Sequence, residues 1–397
     1  MFSLKSKLDI NLKNCIKNKL YKNYRVIVHC KSLQNKIEKK LNSYGCQIIR
    51  SIPSIGCISS NLSPNIIERI IEYPEVDYIT FDNYALLCGK SIEKANGITF
   101  SSKYKLTGKG ICIGIVDTGV YPHPDLKKPF NKISNFLDIV NNLSYSYDDN
   151  GHGTFISGLI CSSGYCSEGL YKGIAENSNI YMIKAFNHLG RGYISDILSA
   201  IEILINESKK YNIKILCLPF ETVDYDEHTL TLFSNLFEKA IEKNMIILVP
   251  SGHNSNVENS MRGISLLKNC ITIGGIDTTS NKKAYTGSSF GPCGKLKKPN
   301  LSAACVDICS LNSDLSYISE RNGHKLYPHP IETPYTCYSG TSCATAYISG
   351  LCALLYENNP DLTYKDILSL LNISCDILQI PRGIQGSGMI NFNKLLP

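Results

Sequence analysis

Five short apolar runs, separated by longer segments, constrain the fold of this chain more than any other feature of its sequence. A continuous apolar run of this length is typical of a strand that is buried on both faces of a sheet. The runs cover residues 111–116, 180–183, 213–218, 245–249 and 271–273. Between the second and third runs, residues 194–211 carry apolar side chains at helical spacing, from Ile194 and Ile197 to Leu204 and Ile205. Strands that alternate with helices predict an α/β domain whose sheet is mainly parallel and flanked by helices.

The first part of the chain has another pattern and predicts a smaller, separate unit. Strand-like segments alternate with two helical segments, of which the second begins with Ser63 and Pro64, a favourable start for a helix. The predicted order is βαββαβ, with strands at 24–29, 47–52, 56–59 and 76–81. This order is that of an α+β, ferredoxin-like domain.

These patterns divide the 397 residues into four parts, because a chain of this length is too long for most single cores. The parts are an N-terminal extension (1–22), the ferredoxin-like unit (23–85), an irregular linker (86–105) and the α/β domain (106–397).

Composition and charge exclude several classes of function. The net charge of +7 is spread along the chain, and without a dense basic block we expect no nucleic-acid partner. No run approaches the roughly 18 apolar residues of a spanning helix, and the start lacks the apolar core of a secretory signal. We therefore expect no membrane association and a cytoplasmic location.

The cysteine content also favours a cytoplasmic location. The count of seventeen is odd and the chain is large, which favours reduced thiols over a disulfide framework. Neither a C-x-x-C pair nor an H-E-x-x-H segment occurs, so no metal site is predicted. Cys161, Cys166, Cys305 and Cys309 are interpreted as small hydrophobic residues rather than metal ligands.

Three short segments, far apart in the chain, carry an acid, a base and a nucleophile. They read Ile-Val-Asp-Thr-Gly around Asp117, Asn-Gly-His-Gly-Thr around His152, and Ser-Gly-Thr-Ser-Cys-Ala around Ser342. A serine hydroxyl is a poor nucleophile until an imidazole takes its proton, and a carboxylate fixes the tautomer of that imidazole. The order Asp, His, Ser is one of the known chain orders of a catalytic triad.

Each of the three residues also has a purely structural interpretation when taken alone. Asp117 suits a turn, and Ser342 suits a helix cap. However, Asp117 directly follows a buried strand, where ligands of open α/β sheets gather. Ser342 precedes a long apolar helix, whose N-terminus favours a developing oxyanion. Together, the three segments predict nucleophilic catalysis by a serine.

The chain resembles the subtilisin-type serine peptidases, or subtilases, over about residues 106–396. Leu-Thr-Gly-Lys-Gly at 106–110, Tyr-Pro-His-Pro-Asp-Leu at 121–126 and Asp-Asp-Asn-Gly-His-Gly-Thr at 148–154 resemble the intracellular, AprX-like branch of that family. The N-terminal unit is similar to the subtilase prodomain, a ferredoxin-like chaperone and inhibitor that acts in cis.

The resemblance assigns roles to individual residues. It implies that Asp117 orients His152, that His152 is first base and then acid, and that Ser342 becomes acylated. It also implies that Gly190, Arg191 and Gly192 pair with the backbone of a protein or peptide substrate. No cofactor is required for this chemistry. Structural calcium is possible, because Asp138 resembles a family ligand.

The chain departs from the family at the oxyanion loop. Many subtilases carry Gly-Asn after a buried strand, and that Asn donates to the oxyanion. Here the segment is Gly252-His253-Asn254. Either His253 takes the place of the Asn, or the loop slips by one residue and Asn254 serves.

A second departure concerns the segment that lines the primary specificity pocket. The family's Ser-Leu-Gly is replaced by Pro219-Phe220-Glu221. Three outcomes stay open for Glu221: it points into the pocket and selects a basic P1 side chain, it fills the pocket together with Phe220, or it is solvated. Two functions follow: a serine endopeptidase with a remodelled pocket and oxyanion loop, or a pseudoprotease that acts as a binding or regulatory module.

Overall fold

The structure of the protein, a computed structural model, describes residues 7–82, 91–98, 106–222, 227–292 and 296–396. The chain forms two compact units, Met1–Leu87 and Cys88–Pro397. None of the helices in the described ranges is long and apolar enough to cross a membrane.

The N-terminal unit is built on a four-stranded antiparallel sheet. Its strands are β1 (Tyr24–Cys30), β2 (Ile48–Ile52), β3 (Cys57–Leu62) and β4 (Val76–Phe81). Its helices are α1 (Ile10–Lys17), α2 (Gln34–Ser43) and α3 (Pro64–Ile70), with a short 3₁₀ turn at Pro53–Ile55. The strand order β2-β3-β1-β4 is the ferredoxin-like order that the sequence predicts.

Helix α1 falls within the segment predicted as an extension. The Asp9 carboxylate caps it by accepting the N–H groups of Asn11 and Leu12 at 3.0 and 2.9 Å. Leu12 is fully buried and belongs to the same core as Val26 and Ile79. The extension therefore contributes to the core of this unit.

The second unit contains a ten-stranded sheet. Its strands are β5 (Cys112–Asp117), β6 (Ile133–Asp138), β7 (Asn179–Lys184), β8 (Ile213–Cys217), β9 (Ile246–Pro250), β10 (Ile271–Asp277), β11 (Lys283–Ala284), β12 (Leu301–Ala304), β17 (Cys375–Asp376) and β18 (Met389–Ile390). Two small two-stranded sheets contain β13 (Ile308–Leu311) with β16 (Tyr335–Tyr338), and β14 (Glu320–Arg321) with β15 (His324–Lys325). The large sheet has the order β17-β18-β12-β10-β9-β8-β5-β7-β6, with β11 beside β10.

All pairings in the large sheet are parallel except β10–β11 and β17–β18. The helices of this unit are α4 (Ile92–Ala95), α5 (Pro124–Lys127), α6 (His152–Cys161), α7 (Ile194–Asn206), α8 (Ser208–Tyr211), α9 (Glu227–Glu242), α10 (Thr341–Asn358), α11 (Tyr364–Ile373), α12 (Arg382–Gln385) and α13 (Phe392–Leu395). Short 3₁₀ turns lie at Tyr165–Ser167 and Gly263–Leu266.

Helices cover the sheet on two sides and create two cores. Helices α6 and α10 belong to one core, and α7 and α9 to the other. All five apolar runs of the sequence coincide with buried strands, which confirms the predicted mainly parallel α/β architecture. The single helix predicted over 194–211 is two consecutive helices, α7 and α8, that meet at Glu207.

A part of the predicted linker forms a helix of the second unit. Ile92 and Ala95 of α4 are buried in the core that contains α6 and α10. The Asn96 amide oxygen accepts the backbone N–H of Ala304, the last residue of β12, at 3.0 Å. A helix of four residues is too short to show a periodic pattern, and residues 86–90 and 99–105 of the linker lie outside the described residues.

The expectation of reduced thiols is wrong for one pair of cysteines. Cys309 and Cys337 are disulfide-bonded and face each other across the antiparallel β13–β16 pair. They are 28 residues apart, so only the strand pairing brings them together. Cys161, Cys166 and Cys305 are free thiols, of which Cys166 is exposed.

Candidate active site

A cavity of about 440 Å³ lies where β5 and β9 end and where α6 and α10 begin. Most of the predicted site residues meet there. Those that line the cavity are Asp117, His152, Gly190, Pro219, Phe220, Glu221, His253 and Ser342. Arg191, Gly192 and Asn254 are not part of its lining among the described residues.

Asp117 and His152 form a close pair. His152 Nδ1 lies 2.9 Å from both carboxylate oxygens of Asp117, and the Asp117 side chain is 4% exposed against 24% for His152. Burial lowers the pKa of His152, but the charge of Asp117 and its hydrogen bond, with a contribution from Asp148, raise that pKa above its ordinary value on balance. The imidazolium form of His152 is therefore stabilised where it would form during catalysis.

The turn before His152 is held by Asp148, a residue to which the sequence assigns no role of its own. Its buried carboxylate accepts the Gly151 N–H at 2.8 Å, the Thr118 hydroxyl at 2.9 Å, and the N–H and hydroxyl of Thr154 at 2.8 and 2.6 Å. Asp148 thus connects Thr118, which follows Asp117, with Gly151 and Thr154, which lie on either side of His152 in the chain. Its position four residues before His152 is the only signal in the sequence.

A buried lysine supports the same region. Lys184, at the end of β7, donates from Nζ to the carbonyl oxygens of Thr118 at 2.6 Å and Phe186 at 3.0 Å. It also contacts Asp149 Oδ1 at 2.6 Å, and its side chain is 0% exposed. A lysine that ends an otherwise apolar strand is the sequence signal for this contact.

Glycines allow the first two motifs to approach each other. A Cβ atom on Gly153 would lie 2.1 Å from the carbonyl oxygen of Gly119, and one on Gly119 would lie 2.2 Å from that of Tyr147. Gly119 and Gly151 also have positive φ angles of 121° and 96°, a region that favours glycine. The glycines of these motifs are therefore required by backbone packing.

Ser342 is the second residue of α10, and its hydroxyl is engaged with Pro219. The Oγ atom donates to the Pro219 carbonyl oxygen at 3.0 Å, and within the described residues no hydrogen bond joins it to His152. Gly340 precedes the helix and offers no capping side chain, and its carbonyl oxygen accepts the Cys343 N–H at 2.9 Å. The N–H groups of Thr341 and Ser342 are left for a ligand. Because catalytic hydrogen bonds often form only in the substrate complex, this arrangement is compatible with a nucleophile at rest.

The structure places the two candidates for the oxyanion donor differently. His253 lines the cavity, with its ring 5.8 Å from that of Tyr285. The Asn254 side-chain amide instead donates to Glu221 Oε2 at 2.9 Å and to Ser289 Oγ at 3.3 Å. His253 therefore belongs to the cavity lining, while the amide of Asn254 is used inside the protein.

Glu221 is bonded to the oxyanion loop. Its Oε2 atom accepts the backbone N–H of His253 at 3.1 Å as well as the amide of Asn254. A Cβ atom on Gly252, whose φ is 101°, would lie 2.4 Å from the same oxygen. The neighbouring Phe220 packs against Phe186, with ring centroids 5.1 Å apart.

The predicted substrate-pairing segment is a tight turn closed by Asn187. Its Oδ1 atom accepts the Arg191 N–H at 3.1 Å, and its carbonyl oxygen accepts the Gly190 N–H at 2.9 Å. Gly190 has a φ of 71° and lines the cavity, whereas the backbone N–H and carbonyl groups of Arg191 both bond to Asn187 within the turn. Gly192 lies close to Ala185, where a Cβ atom would come within 2.6 Å of the carbonyl oxygen.

Tyr338 is a further lining residue that sequence reasoning missed. Its ring lies edge-on to His152 at 6.1 Å and to Phe155 at 5.8 Å. It stands next to the disulfide-bonded Cys337 on β16 and four residues before Ser342. Its only signal in the sequence is this closeness to the third motif.

The surroundings of Asp138 do not fit a calcium ion. Its carboxylate oxygens accept the backbone N–H groups of Val140, Asn141 and Leu143 and the hydroxyl of Tyr147, at 2.8–3.2 Å. A calcium site needs six to eight oxygen ligands around the ion, whereas here donors surround the carboxylate. No group of three His, Cys, Asp or Glu side chains that could hold a metal occurs in the ranges that the structure describes.

Comparison with known proteins identifies relatives that match most of the chain. The model of the subtilase family matches residues 108–388. Serine protease AprX of Bacillus subtilis is 30% identical over an alignment of 358 residues that covers 86% of this chain and 79% of AprX. An alkaline protease of Alkalihalobacillus alcalophilus is 23% identical over an alignment of 350 residues that covers 87% of this chain and 80% of that protein.

Solved structures show the same fold. Sphericase superposes with a TM-score of 0.62 at 20% identity and covers 78% of this chain and 100% of its own. A psychrophilic protease, S41, gives a TM-score of 0.61 at 21% identity, with coverages of 77% and 98%. With the family model matched over most of the chain, these findings confirm the resemblance seen in the motifs: the chain belongs to the subtilase family of serine peptidases.

Proposed function

We propose that this chain hydrolyses internal peptide bonds of proteins or peptides through Asp117, His152, Ser342 and an acyl-enzyme. The observation that carries the proposal is the contact of His152 Nδ1 with both carboxylate oxygens of Asp117, in the cavity that Ser342 also lines. This contact leaves Nε2 of His152 as the free ring nitrogen for proton transfer.

The proposed reaction has two half-reactions, acylation of Ser342 and hydrolysis of the acyl-enzyme, and His152 acts first as base and then as acid in each. The Ser342 hydroxyl leaves the Pro219 carbonyl, gives its proton to His152 Nε2, and its oxygen attacks the scissile carbonyl carbon. The C–N bond then breaks, and His152 returns the proton to the leaving amine. A water molecule attacks the acyl-enzyme with His152 again as base, which releases the acid and restores the Ser342 hydroxyl.

We assign the oxyanion to His253 and to the first N–H groups of α10. Of the two candidate donors His253 is the one that lines the cavity, and the helix N-terminus adds a partial positive charge. The amide of Asn254 is held by Glu221 and Ser289, so we assign it a role in fixing the loop.

We assign to Glu221 the role of a clamp for the oxyanion loop. Its Oε2 atom already accepts hydrogen bonds from two consecutive residues of that loop, His253 and Asn254. Because these donors compensate part of its charge, we do not expect the carboxylate to select a basic P1 side chain. This role differs from the three outcomes that the sequence left open for Glu221, which were selection of a basic P1 side chain, filling of the pocket together with Phe220, and solvation.

A second candidate function rests on the hydrogen bond from Ser342 to Pro219. If this bond persisted in the substrate complex, the serine would stay inactive and the chain would act as a pseudoprotease that binds without cleaving. Labelling with a fluorophosphonate distinguishes the two candidates, since only an activated serine reacts quickly.

We further propose that the N-terminal unit acts as a prodomain in cis. The support is its ferredoxin-like strand order and the resemblance to the subtilase prodomain. Mass spectrometry of the purified chain should then show a cut within residues 83–103, and the cut should be absent in Ser342→Ala.

One experiment tests the main proposal. The purified chain and its Ser342→Ala variant are incubated with casein and with a peptide library, and all cleavages are mapped by mass spectrometry. Cleavage by the wild type alone supports the proposal, and equal cleavage by both proteins would contradict it.

A further inference from the structure

A second cavity, of about 340 Å³, lies beside β6 and shares no lining residue with the candidate active site. Strand β6, helix α5, the segment 144–146 and residues between 317 and 328 form its walls. Its charged lining residues are Lys127 and Lys325, and none of the described residues that line it is Asp or Glu. The cavity is therefore cationic.

The two ammonium groups have no carboxylate partner within 4.0 Å among the described residues. Lys127 Nζ donates to the amide oxygen of Asn131 at 3.1 Å. Glu320 faces Lys325 across the β14–β15 pair, but its Oε2 atom accepts the backbone N–H of Ser144 at 2.7 Å. Burial and the charge of Lys325 both lower the pKa of Lys127, which indicates that the two cations repel each other.

Aromatic rings form much of the remaining wall. Lys325 Nζ lies 5.2 Å from the ring centroids of both Tyr145 and Tyr327. Tyr317 is fixed by a 2.8 Å hydrogen bond from its hydroxyl to the Leu326 carbonyl oxygen and by an edge-on contact with Tyr121. Tyr327 is 77% exposed, so the aromatic wall is open to solvent. The rings are thus ordered by contacts within the protein and accessible to a ligand.

We propose that this cavity binds a phosphorylated planar small molecule, of the class of the nucleoside monophosphates. A phosphate carries about two negative charges at neutral pH and matches two lysines that lack carboxylate partners. The hydroxyl groups of Ser144 and Ser146, which also line the cavity, are further donors to an anion. Tyrosine rings stack on a planar base regardless of its identity.

Isothermal titration of the full-length chain with AMP, adenosine and inorganic phosphate tests the proposal. AMP should bind more tightly than phosphate, because the base adds stacking, and adenosine should bind weakest because it lacks the charge. AMP binding should also weaken as sodium chloride is added, since partly exposed charges are screened. Undetectable AMP binding at millimolar concentrations, or equal binding of AMP and adenosine, would overturn the proposal.

Single substitutions place the binding in this cavity. Lys127→Gln and Lys325→Gln should each weaken AMP binding about tenfold or more, the size expected for one charge-assisted hydrogen bond. Lys128→Gln is the matched control, because Lys128 is exposed, lies over the Tyr165 ring at 4.6 Å and does not line the cavity. An equal loss in Lys128→Gln would contradict the assignment.

An acidic peptide serves as the competing probe. If a short Glu-rich peptide bound more tightly than AMP and lost affinity in the same two variants, the cavity would be a polypeptide site and the phosphate assignment would be wrong. Thermal unfolding of each variant without ligand checks its fold. The comparison of AMP with adenosine on the wild type remains decisive even if a variant unfolds.

Discussion

The two walls of the active-site cavity are held by different networks. The wall of Asp117 and His152 is tied together by Asp148 and Lys184, whose side chains are almost fully buried. A second wall contains residues 219–221 together with Gly252 and His253. The half-buried carboxylate of Glu221 joins these two segments, and Ser289 also binds the loop through Gly252 and Asn254. The first wall contains the motifs that resemble the acid and base motifs of the family, and the second contains the two segments that depart from the family, to which the resemblance assigns the oxyanion donor and the P1 pocket. The two replaced segments thus lie in the second wall, where the carboxylate of Glu221 connects them by hydrogen bonds.

Removal of the nucleophile should have the largest effect. Ser342→Ala should lower kcat/KM by about 10⁴-fold or more, because the attack has no substitute. Asp117→Asn should cost a comparable factor, and the double variant should be hardly worse than either single one, since the residues act as a unit. Steady-state hydrolysis of one peptide measures all three. A double variant whose loss equals the product of the single losses would show that Asp117 and Ser342 do not act in one mechanism.

The oxyanion loop should show the next largest effect. His253→Ala should lower kcat by about 10²–10³-fold with little change in KM, a range measured on a subtilisin and not obtained from this structure. Asn254→Ala is the internal control and should cost far less, because its amide contacts Glu221 and Ser289. If Asn254→Ala were the more damaging change, the oxyanion assignment would have to be exchanged between the two residues.

Loss of the clamp should have an intermediate effect. Glu221→Gly removes two hydrogen bonds to a charged acceptor and should lower kcat by about tenfold, because only part of their roughly 1.5–3 kcal/mol each bears on the transition state. Glu221→Gln keeps an acceptor oxygen and should lose less. Profiling both variants on a peptide library should leave the P1 preference unchanged. A shift from basic to apolar P1 residues would show that Glu221 selects the substrate.

The smallest expected effect concerns pH. The pKa of His152 is raised, so its imidazole stays protonated to higher pH, and activity should fall on the acid side already above pH 6.5. Asp148 contributes to this shift, so Asp148→Asn should move the acid limb of kcat/KM to lower pH. Asp149→Asn should leave the limb in place, because the Asp149 carboxylate pairs with Lys184. Identical limbs in wild type and Asp148→Asn would contradict this account.

The fold was predictable because its signals are local. Each buried strand is one apolar run, and the helices between them show their periodicity, so the layers follow from the sequence. The order of the strands in the sheet and the position of α4 depend on contacts between distant segments. The Cys309–Cys337 disulfide was likewise not predictable from local signals, because it depends on the register of two paired strands.

Within the candidate site, the sequence allows a prediction only for residues whose chemical type and motif together suggest a role. The acid, the base and the nucleophile of a triad can be named from their motifs and their order in the chain. The partners of Glu221 could not be named, because a carboxylate in a loop bonds to whichever donors the fold brings near it, here His253 and Asn254. The same reason explains why Asp148 and Lys184 were missed.

The close approach of Gly119 and Gly153 has a consequence for how members of such a family are detected. Any side chain at Gly153 would collide with the Gly119 carbonyl, so both glycines are required for the chain to fold, whether or not it cleaves anything. A homologue that had lost its nucleophile would still need them and would still score as a member in a motif search. Loss of activity in a paralogue would therefore be visible as substitutions at the start of α10 and in the oxyanion loop. The acid and base motifs would show only that the paralogue shares the fold and the ancestor.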